Sequence, residues 1–359
     1  MDMKKGIILL KAFAFLLIFA VLFCSVQEVL RYKYEEEMKL RTVYRTYMEE
    51  AEGSVDVVFI GGSSPFADVV PPLMWKESGI TAYNFGISSA SSLINYYQLR
   101  FLLEERTQKP KLVVFDFHAI DRDLMPDEAK GNEKQPKTLV VSMPFWDLRN
   151  EMILQIKKEN PNQDILTYYF PLLEFHSRWN IITKNDFSPK EYEEYKKGAL
   201  FSVKKSKETI NSNPELYEAD IEPGPISEYS WGYYKQIIDL CAENEIEIAV
   251  VGFPRNITNN WISKSKTIEQ VCDENNIRFY DLSTPGNWDA LAIDGATDFY
   301  DSGHLNASGA TKLSKALAEI FQEDFGLPDH RGDPAYSAWD DTWDAFYAAY
   351  ENVLAPFGY

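Results

Sequence analysis

The chain has 359 residues, a formal net charge of −19 and three cysteines. A chain of this length can bury a sizeable core, and it predicts one large or two small domains. The acidic balance argues against a nucleic-acid-binding protein, because the basic stripes that hold phosphates are missing. Three cysteines are also too few for a disulfide framework.

An apolar run covers residues 6–26, interrupted by Lys11 and Ser25. It is about long enough to cross a bilayer as a helix, and no small-residue cleavage site follows it. The sequence therefore predicts an uncleaved anchor over residues 1–27 of a single-pass protein of the cell membrane. Basic residues flank both ends of the run, but long domains translocate regardless of flanking charge. We expect the following domain to be extracytoplasmic.

Composition divides the rest of the chain into a stalk, a globular domain and a tail. Residues 28–53 are charged and rich in helix formers, which predicts a helical stalk that acts as a solvated spacer. The globular domain is expected at 54–326, with a helical insertion or lid at 119–227, where a long polar stretch separates two strands. An aromatic tail at 327–359 is expected to pack on this domain.

Strand and helix patterns alternate through the globular domain. Strands are predicted at 55–60, 80–86, 110–117, 247–254 and 277–282, and helices at 92–106, 231–244, 260–276 and after residue 306. Strands that alternate with helices indicate right-handed βαβ units. The predicted fold is α/β, a three-layer αβα, flavodoxin-like parallel sheet of about five strands with a helical insertion, preceded by one transmembrane helix.

The first predicted strand ends on Gly61-Gly62-Ser63-Ser64-Pro65. Glycines allow a tight turn, so the strand delivers a serine hydroxyl to the carboxyl edge of the sheet. Ligands and chemistry collect at that edge in open α/β sheets. Alone, this pattern is often just a turn.

A second block near the other end of the chain supplies Asp301-Ser302-Gly303-His304. A serine hydroxyl is a poor nucleophile until a base removes its proton, and an imidazole oriented by a carboxylate is the usual base. Ser64, His304 and Asp301 would supply all three groups. Read alone, His304 also fits a helix entry or a metal ligand, and the residues leave open whether Ser63 or Ser64 is the nucleophile.

Other polar residues are candidates for binding. Gly86 ends the second strand, where its amide either meets a developing oxyanion or only turns the chain. His176 and Arg178 are candidate ligands for an anionic group, although local hydrogen bonding explains such pairs at least as well. Arg255 and Asn256 follow the fourth strand at the same sheet edge as Ser64, with no assigned role.

Taken together, residues 54–325 resemble the SGNH (GDSL-type) esterase and acyltransferase superfamily. Gly62-Ser63-Ser64 matches that family's Gly-Asp-Ser block with Ser63 in place of Asp, Gly86 matches its second-block glycine, and Asp301 to His304 match its Asp-x-x-His block. The anchor, the insertion and two segments are most similar to membrane-anchored bacterial proteins related to the D-alanyl-lipoteichoic acid transfer protein and to polysaccharide O-acetylation proteins. These two segments are Phe175-His176-Ser177-Arg178-Trp179 and Asp329-His330-Arg331-Gly332-Asp333.

The resemblance implies an extracytoplasmic serine esterase or O-acyltransferase that acts on acyl esters of cell-envelope polysaccharide or teichoic acid. By the block alignment Ser64 is the nucleophile, and the amides of Ser64 and Gly86 form the oxyanion hole. A membrane-bound O-acyltransferase is the implied partner. The family's third block, Gly-x-Asn-Asp, is absent, since Asp116-Phe117-His118 stands there. His118 or Asn84 is the candidate replacement for the missing Asn, and His118 is also a candidate substrate ligand.

Two other classes of function compete with this interpretation. The missing Asn and the Ser63 substitution fit a catalytically inactive envelope module that binds glycan or a membrane-bound O-acyltransferase. Phosphate binding by the Gly-Gly-Ser-Ser turn is the weaker alternative, because neither a Gly-Lys-Ser/Thr pairing nor a Gly-x-Gly-x-x-Gly motif is present. We expect no cofactor and no bound metal.

Overall fold

The structure is a computed structural model, and it describes residues 3–30, 43–88, 90–104, 106–120, 140, 142–144, 146–187 and 194–359. Part of the predicted stalk, including Glu35-Glu36-Glu37, and parts of the predicted insertion lie outside the described residues. The chain forms two compact units, one of residues 1–42 and 137–192 and the other of residues 43–136 and 193–359. The domain boundaries expected from the sequence stay predictions.

The second unit contains a five-stranded sheet in which all paired strands are parallel. Its strands are β1 (Val57–Ile60), β2 (Ala82–Asn84), β3 (Leu112–Asp116), β4 (Glu247–Gly252) and β5 (Arg278–Asp281). Their spatial order is β2-β1-β3-β4-β5, which is the flavodoxin-like doubly wound order. The predicted α/β class and the five parallel strands are therefore confirmed.

Helices cover both faces of the sheet. The chain steps from β1 to β2 in one direction across the sheet and from β2 to β3 in the other, so right-handed crossovers place the connecting helices on opposite faces. Burial on both faces explains why β1, β2 and β3 are completely buried and mostly apolar, with Asn84 and Asp116 as polar residues at their carboxyl ends. The helices of this unit are Ser63–Asp68, Pro71–Ser78, Ser92–Glu104, Phe117–Ile120, Pro214–Tyr217, Glu228–Glu243, Asn259–Glu274, Pro285–Ala290, Ala307–Phe325 and Ser337–Leu354, with residues 43–49 also helical.

Residues 43–49 are packed, in contrast to the solvated spacer expected there. Tyr44 and Tyr47 are buried. The Tyr44 ring meets Phe101 at 4.7 Å between centroids, and the Tyr47 ring meets Phe85 at 5.0 Å. The aromatic residues lie three apart on one helical face, so this turn buries a stripe that the surrounding charge obscures in the sequence.

The aromatic tail, which belongs to the second unit, packs against the rest of that unit. Trp339 is 2% exposed and lies against Trp75, with ring centroids 6.0 Å apart. His330 Nε2 lies 2.7 Å from Asp56 Oδ2, next to the start of β1. These contacts attach the end of the chain to the beginning of the sheet.

A short antiparallel hairpin, absent from the sequence-based prediction, follows the sheet. It pairs β6 (Phe299–Asp301) with β7 (His304–Leu305) around Ser302 and Gly303. The register puts Asp301 directly opposite His304. The Asp-x-x-His spacing thus reads as a cross-strand pair on either side of a two-residue turn.

The first unit contains the apolar helix Met3–Leu30. The segment Lys4–Leu30 is long and apolar enough to cross a membrane, with a mean hydropathy of 2.9 over an 18-residue stretch of it, although a signal sequence would satisfy the same criteria. The other helices of this unit are Trp146–Glu159, Leu166–Tyr169, Pro171–Phe175 and Lys184–Phe187, with a 3₁₀ turn at His176–Asn180.

Candidate active site

The site begins at a tight turn after β1. Gly61 has φ +149°, and a Cβ there would come within 2.4 Å of the Asp116 Cβ, so only glycine fits. The Gly62 amide donates to Asp116 Oδ2 at 3.1 Å. The next residue, Ser63, is the first residue of a helix. The turn therefore presents the start of this helix at the carboxyl edge of the sheet.

The serine that contacts His304 is Ser63. His304 Nε2 lies 2.6 Å from Ser63 Oγ. Ser64, the residue favoured by the block alignment, is only 2% exposed. Successive helical residues point about 100° apart, so one step along the helix turns the hydroxyl away from the cleft and into the core. The hydroxyl that His304 contacts is thus one residue before the one favoured by the block alignment, and which serine is the nucleophile stays a prediction.

Asp301 and His304 meet as the hairpin register requires. His304 Nδ1 lies 2.9 Å from each carboxylate oxygen of Asp301, and the Gly303 amide donates to the same carboxylate at 2.8 Å. Partial burial raises the pKa of the Asp301 carboxyl, but these hydrogen bonds outweigh burial and lower the pKa overall. The carboxylate is therefore ionised at neutral pH and orients the ring, which also stacks on Tyr300.

Asp68 ties the His304 hairpin to the helix that carries Ser63. It is completely buried at the last position of the helix, and its Oδ1 accepts the Leu305 amide at 2.7 Å. Burial raises the pKa of Asp68 well above its usual range, with further contributions from Asp116 and Asp301, while the Leu305 amide opposes the shift. The side chain is thus a positioning group that holds its proton more tightly than a free carboxyl does.

The amide of Gly86, which we expected to line an oxyanion hole, already donates a hydrogen bond within the protein. It donates to Asn84 Oδ1 at 2.9 Å, and Asn84 Nδ2 donates to the Pro65 carbonyl. Asn84 is completely buried and both ends of its amide are used, so it braces the β2 loop against the Ser63 helix. By contrast, the amides of Ser63 and Ser64 are the first two of the helix and have no acceptor within it.

Arg255 lies among the carboxylates of the site. A Cβ at Gly303 would come within 3.4 Å of Arg255 Nη2, and the charges that act on the guanidinium are Asp116, Asp68 and Asp301. Burial lowers the pKa of Arg255, whereas the three carboxylates raise it. Among the described residues no acceptor lies within hydrogen-bonding distance of its guanidinium, which stacks on Trp261 at 4.8 Å. Its donors are available to a ligand.

A cleft of about 190 Å³ opens beside the site. His118, Arg255, Trp261 and Lys264 contribute to its wall, and the His118 ring stacks on Trp261 with centroids 5.8 Å apart. The His118 amide donates to Asp116 Oδ1, which connects the cleft to the turn before Ser63. His118 therefore stays a candidate ligand for a substrate.

His176 and Arg178 belong to the other compact unit. The Arg178 guanidinium donates to Asp186 Oδ1 and to the Leu30 carbonyl, each at 2.9 Å. His176 Nδ1 lies 3.0 Å from the Leu173 carbonyl. Both side chains have local structural contacts, and their predicted role in substrate binding stays a prediction. In the described part of the chain, no three His, Cys, Asp or Glu side chains converge as a metal site would require.

The sequence analysis gives no role to two residues of this site, Arg255 and Asp68. Arg255 has a signal in the sequence, because it follows β4, which ends at Gly252 on the same sheet edge as Ser63. The burial of the short Ser63 helix explains the choice of serine, since all of its residues after Ser63 are buried. The bond between Asp68 and Leu305 joins residues 237 positions apart and has no local signature.

Comparison with known proteins adds little to this geometry. No protein-family model matches the chain, and no curated protein matches it. A crystal structure from Bacteroides fragilis NCTC 9343, named a "putative acylhydrolase", is similar over 81% of this chain and 99% of that chain, with 11% identity and a TM-score of 0.36. A likeness of this size establishes neither a shared fold nor a shared activity.

Asp68 gives a prediction about stability and pH. Its pKa is raised in the folded protein, so the unfolded chain loses this proton first and the free energy of unfolding falls as pH rises from about 4. Asp68→Asn keeps the acceptor for Leu305 without the ionisation. We expect it to be at least as stable as wild type at pH 7, with a gain over wild type that grows from pH 4 upward.

Asp68→Ala is the matched control, since it leaves the buried Leu305 amide without its acceptor. We expect a loss of about 1–3 kcal/mol relative to Asp68→Asn in urea unfolding. A wild-type protein that becomes more stable than Asp68→Asn as pH rises would show that the carboxylate is ionised and stabilising.

Proposed function

We propose that the protein is a serine esterase or O-acyltransferase of the SGNH type that works through an acyl-Ser63 intermediate. The observation that carries this proposal is the continuous hydrogen-bonded series of Ser63 Oγ, His304 and Asp301, with distances of 2.6 and 2.9 Å. A hydroxyl, an imidazole and an ionised carboxylate in this order are the groups that nucleophilic acyl transfer uses.

The reaction proceeds in two halves. Ser63 Oγ attacks the ester carbonyl carbon while His304 Nε2 takes the hydroxyl proton, and a tetrahedral oxyanion forms. The bond to the leaving oxygen then breaks, and His304 returns the proton to that oxygen to release an alcohol. In the second half His304 deprotonates water or an acceptor hydroxyl, whose oxygen attacks the acyl carbon. The bond from that carbon to Ser63 Oγ then breaks, and His304 returns the proton to Ser63 Oγ as the acid or the new ester leaves. Asp301 holds the ring and stabilises the imidazolium.

Three donors are available for the developing oxyanion. The first helical amides, of Ser63 and Ser64, lack acceptors within the helix. The Arg255 guanidinium lies beside Gly303 and replaces the Asn side chain that the family's third block would supply. Such donors act strongly because they are already in place when charge develops. Gly86 serves only if its bond to Asn84 opens.

The candidate anchor and the family resemblance support an extracytoplasmic position at the cell membrane. The substrate we favour is an acyl ester of a cell-envelope polysaccharide or teichoic acid. A membrane-bound O-acyltransferase then supplies the acyl group from across the bilayer. Transfer to a sugar or polyol hydroxyl and hydrolysis by water share the same acyl-Ser63 intermediate.

A second candidate function rests on the engaged Gly86 amide. The Gly86 amide donates to Asn84 and is therefore not free to stabilise an oxyanion. This fits a catalytically inactive module that binds glycan or a membrane-bound O-acyltransferase. The two functions differ in whether Ser63 is activated.

Hydrolysis of p-nitrophenyl acetate by purified full-length variants distinguishes the two functions. Because Ser63 and His304 act as one unit, we expect Ser63→Ala and His304→Ala each to lower kcat by at least about 10³-fold. Ser64→Ala, the matched control, leaves its backbone amide in place and should stay within about threefold of wild type, since the side chain touches no reacting atom.

The opposite pattern, with Ser64→Ala inactive and Ser63→Ala active, would identify Ser64 as the nucleophile, as the block alignment implies. A folded wild-type protein without Ser63-dependent hydrolysis would favour the binding module.

Arg255 supplies a separate prediction. Arg255→Met keeps much of the length of the side chain on Trp261 but removes every donor. We expect kcat to fall by about 10²-fold, as it does when one oxyanion donor is removed, and Arg255→Lys to be intermediate because it keeps the charge without the planar fork. Arg278→Met, at an exposed ion pair on β5, is the control. An effect of Arg255→Met confined to KM would assign Arg255 to substrate binding instead.

A further inference from the structure

The exposed apolar side chains outside the anchor helix are concentrated in one segment of the first unit. Val203 is the exception among the described residues, and the others all lie between residues 154 and 187. Large apolar side chains scattered singly on a surface need no explanation, but a cluster indicates an interaction surface. The cluster is formed by Leu166, Phe170, Leu173, Trp179, Ile181 and Phe187, which we call the apolar platform.

The platform is attached to the apolar helix Met3–Leu30. The Phe170 ring meets Phe23 in an edge contact, with centroids 6.4 Å apart. Farther along the same helix, Arg178 Nη1 donates to the Leu30 carbonyl at 2.9 Å. The helices Pro171–Phe175 and Lys184–Phe187 also contact the anchor helix. The surface is therefore continuous with the segment that has the length and hydropathy to cross a bilayer.

Helical geometry gives the depth of each contact. The apolar run of the anchor ends at Val26, before Gln27 and Glu28. At about 1.5 Å per residue, Phe23 lies about 4.5 Å inside this boundary and Leu30 about 6 Å outside it. Because the headgroup layer is about 5–7 Å thick on each side, a bilayer crossed by this helix would have Phe170 at the edge of its hydrocarbon and Arg178 among its headgroups.

We propose that the apolar platform inserts into the membrane interface of the leaflet at the Leu30 end of the anchor helix. Phe170, Leu166 and Leu173 enter the boundary of the acyl chains, and Trp179, which is 71% exposed, lies at headgroup level. Tryptophan is enriched at this level because its ring is amphipathic. Arg178 is held by Asp186 and Leu30, so the segment docks in a fixed orientation.

A bilayer fits the platform better than a protein groove does. The apolar residues are spread over three short helices, a 3₁₀ turn and the residues between them, so they form no single helical stripe for a partner helix. The platform contacts the anchor at Phe23 and Leu30, on either side of the position where the apolar run of the anchor ends. The proposal needs the anchor to span a membrane, and it is independent of the chemistry at Ser63.

Fluorescence quenching in nanodiscs tests the platform in the full-length chain. Cys24→Ser removes the exposed native thiol, whereas Cys241 and Cys272 are buried. Bimane is then attached at Leu173→Cys or Trp179→Cys, and at Asp147→Cys as an exposed, acidic control in the same unit. Half of the nanodiscs carry phosphatidylcholine with a nitroxide near the top of the acyl chain. Wild-type protein labelled at Cys24, inside the apolar run, is the positive control, and circular dichroism checks folding.

We expect quenching by the nitroxide lipid at positions 173 and 179 to exceed that at 147 by at least about threefold, since interfacial side chains lie within reach of the label. Quenching at Cys24 alone, with positions 173 and 179 open to aqueous iodide, would overturn the proposal. Protection from iodide without quenching by the lipid would also overturn it, and would assign the platform to a protein partner or a second copy. The two labelled positions are independent, so a folding failure at one leaves the other informative.

Discussion

One buried hydrogen bond holds the two ends of the candidate active site together. The Leu305 amide donates to Asp68, and through this bond the hairpin that carries His304 is fixed against the helix that carries Ser63. Neither the Ser63 helix nor the Asp301–His304 hairpin has all the groups needed for nucleophilic catalysis, because a serine without a base is a poor nucleophile. The parallel sheet brings the helix start to its carboxyl edge, the hairpin register pairs Asp301 with His304, and Asp68 joins the two.

The electrostatics of the site follow from the same arrangement. Asp301 has a lowered pKa and stays ionised, whereas burial raises the pKa of Asp68. Asp116 holds the turn through the Gly62 amide, and Arg255 provides a positive charge among the three carboxyl groups. Two carboxyl groups with opposite pKa shifts thus have different uses, one for orienting an imidazole and one for positioning the backbone.

Much of this structure can be predicted from the sequence, and there are physical reasons why the remaining features cannot. The five strands and their parallel arrangement follow from apolar runs that alternate with helices, and the pairing of a serine block with Asp301 and His304 follows from the chemistry they share. The choice between Ser63 and Ser64 depends on where the turn ends, and a shift of one residue rotates the side chain by about 100°. The engaged Gly86 amide and the Asp68 bond depend on tertiary contacts that no local pattern encodes. The packed turn at residues 43–49 is hidden by its charged neighbours.

The central claim is that His304 activates Ser63, and a fluorophosphonate probe tests it most directly. Intact mass after treatment, followed by peptide mapping, reports both whether a serine is activated and which one. The account predicts a single adduct on Ser63 in wild type and in Ser64→Ala, and none in Ser63→Ala or His304→Ala. An adduct on Ser64 that survives in Ser63→Ala, or a folded wild-type protein with no adduct, would contradict it.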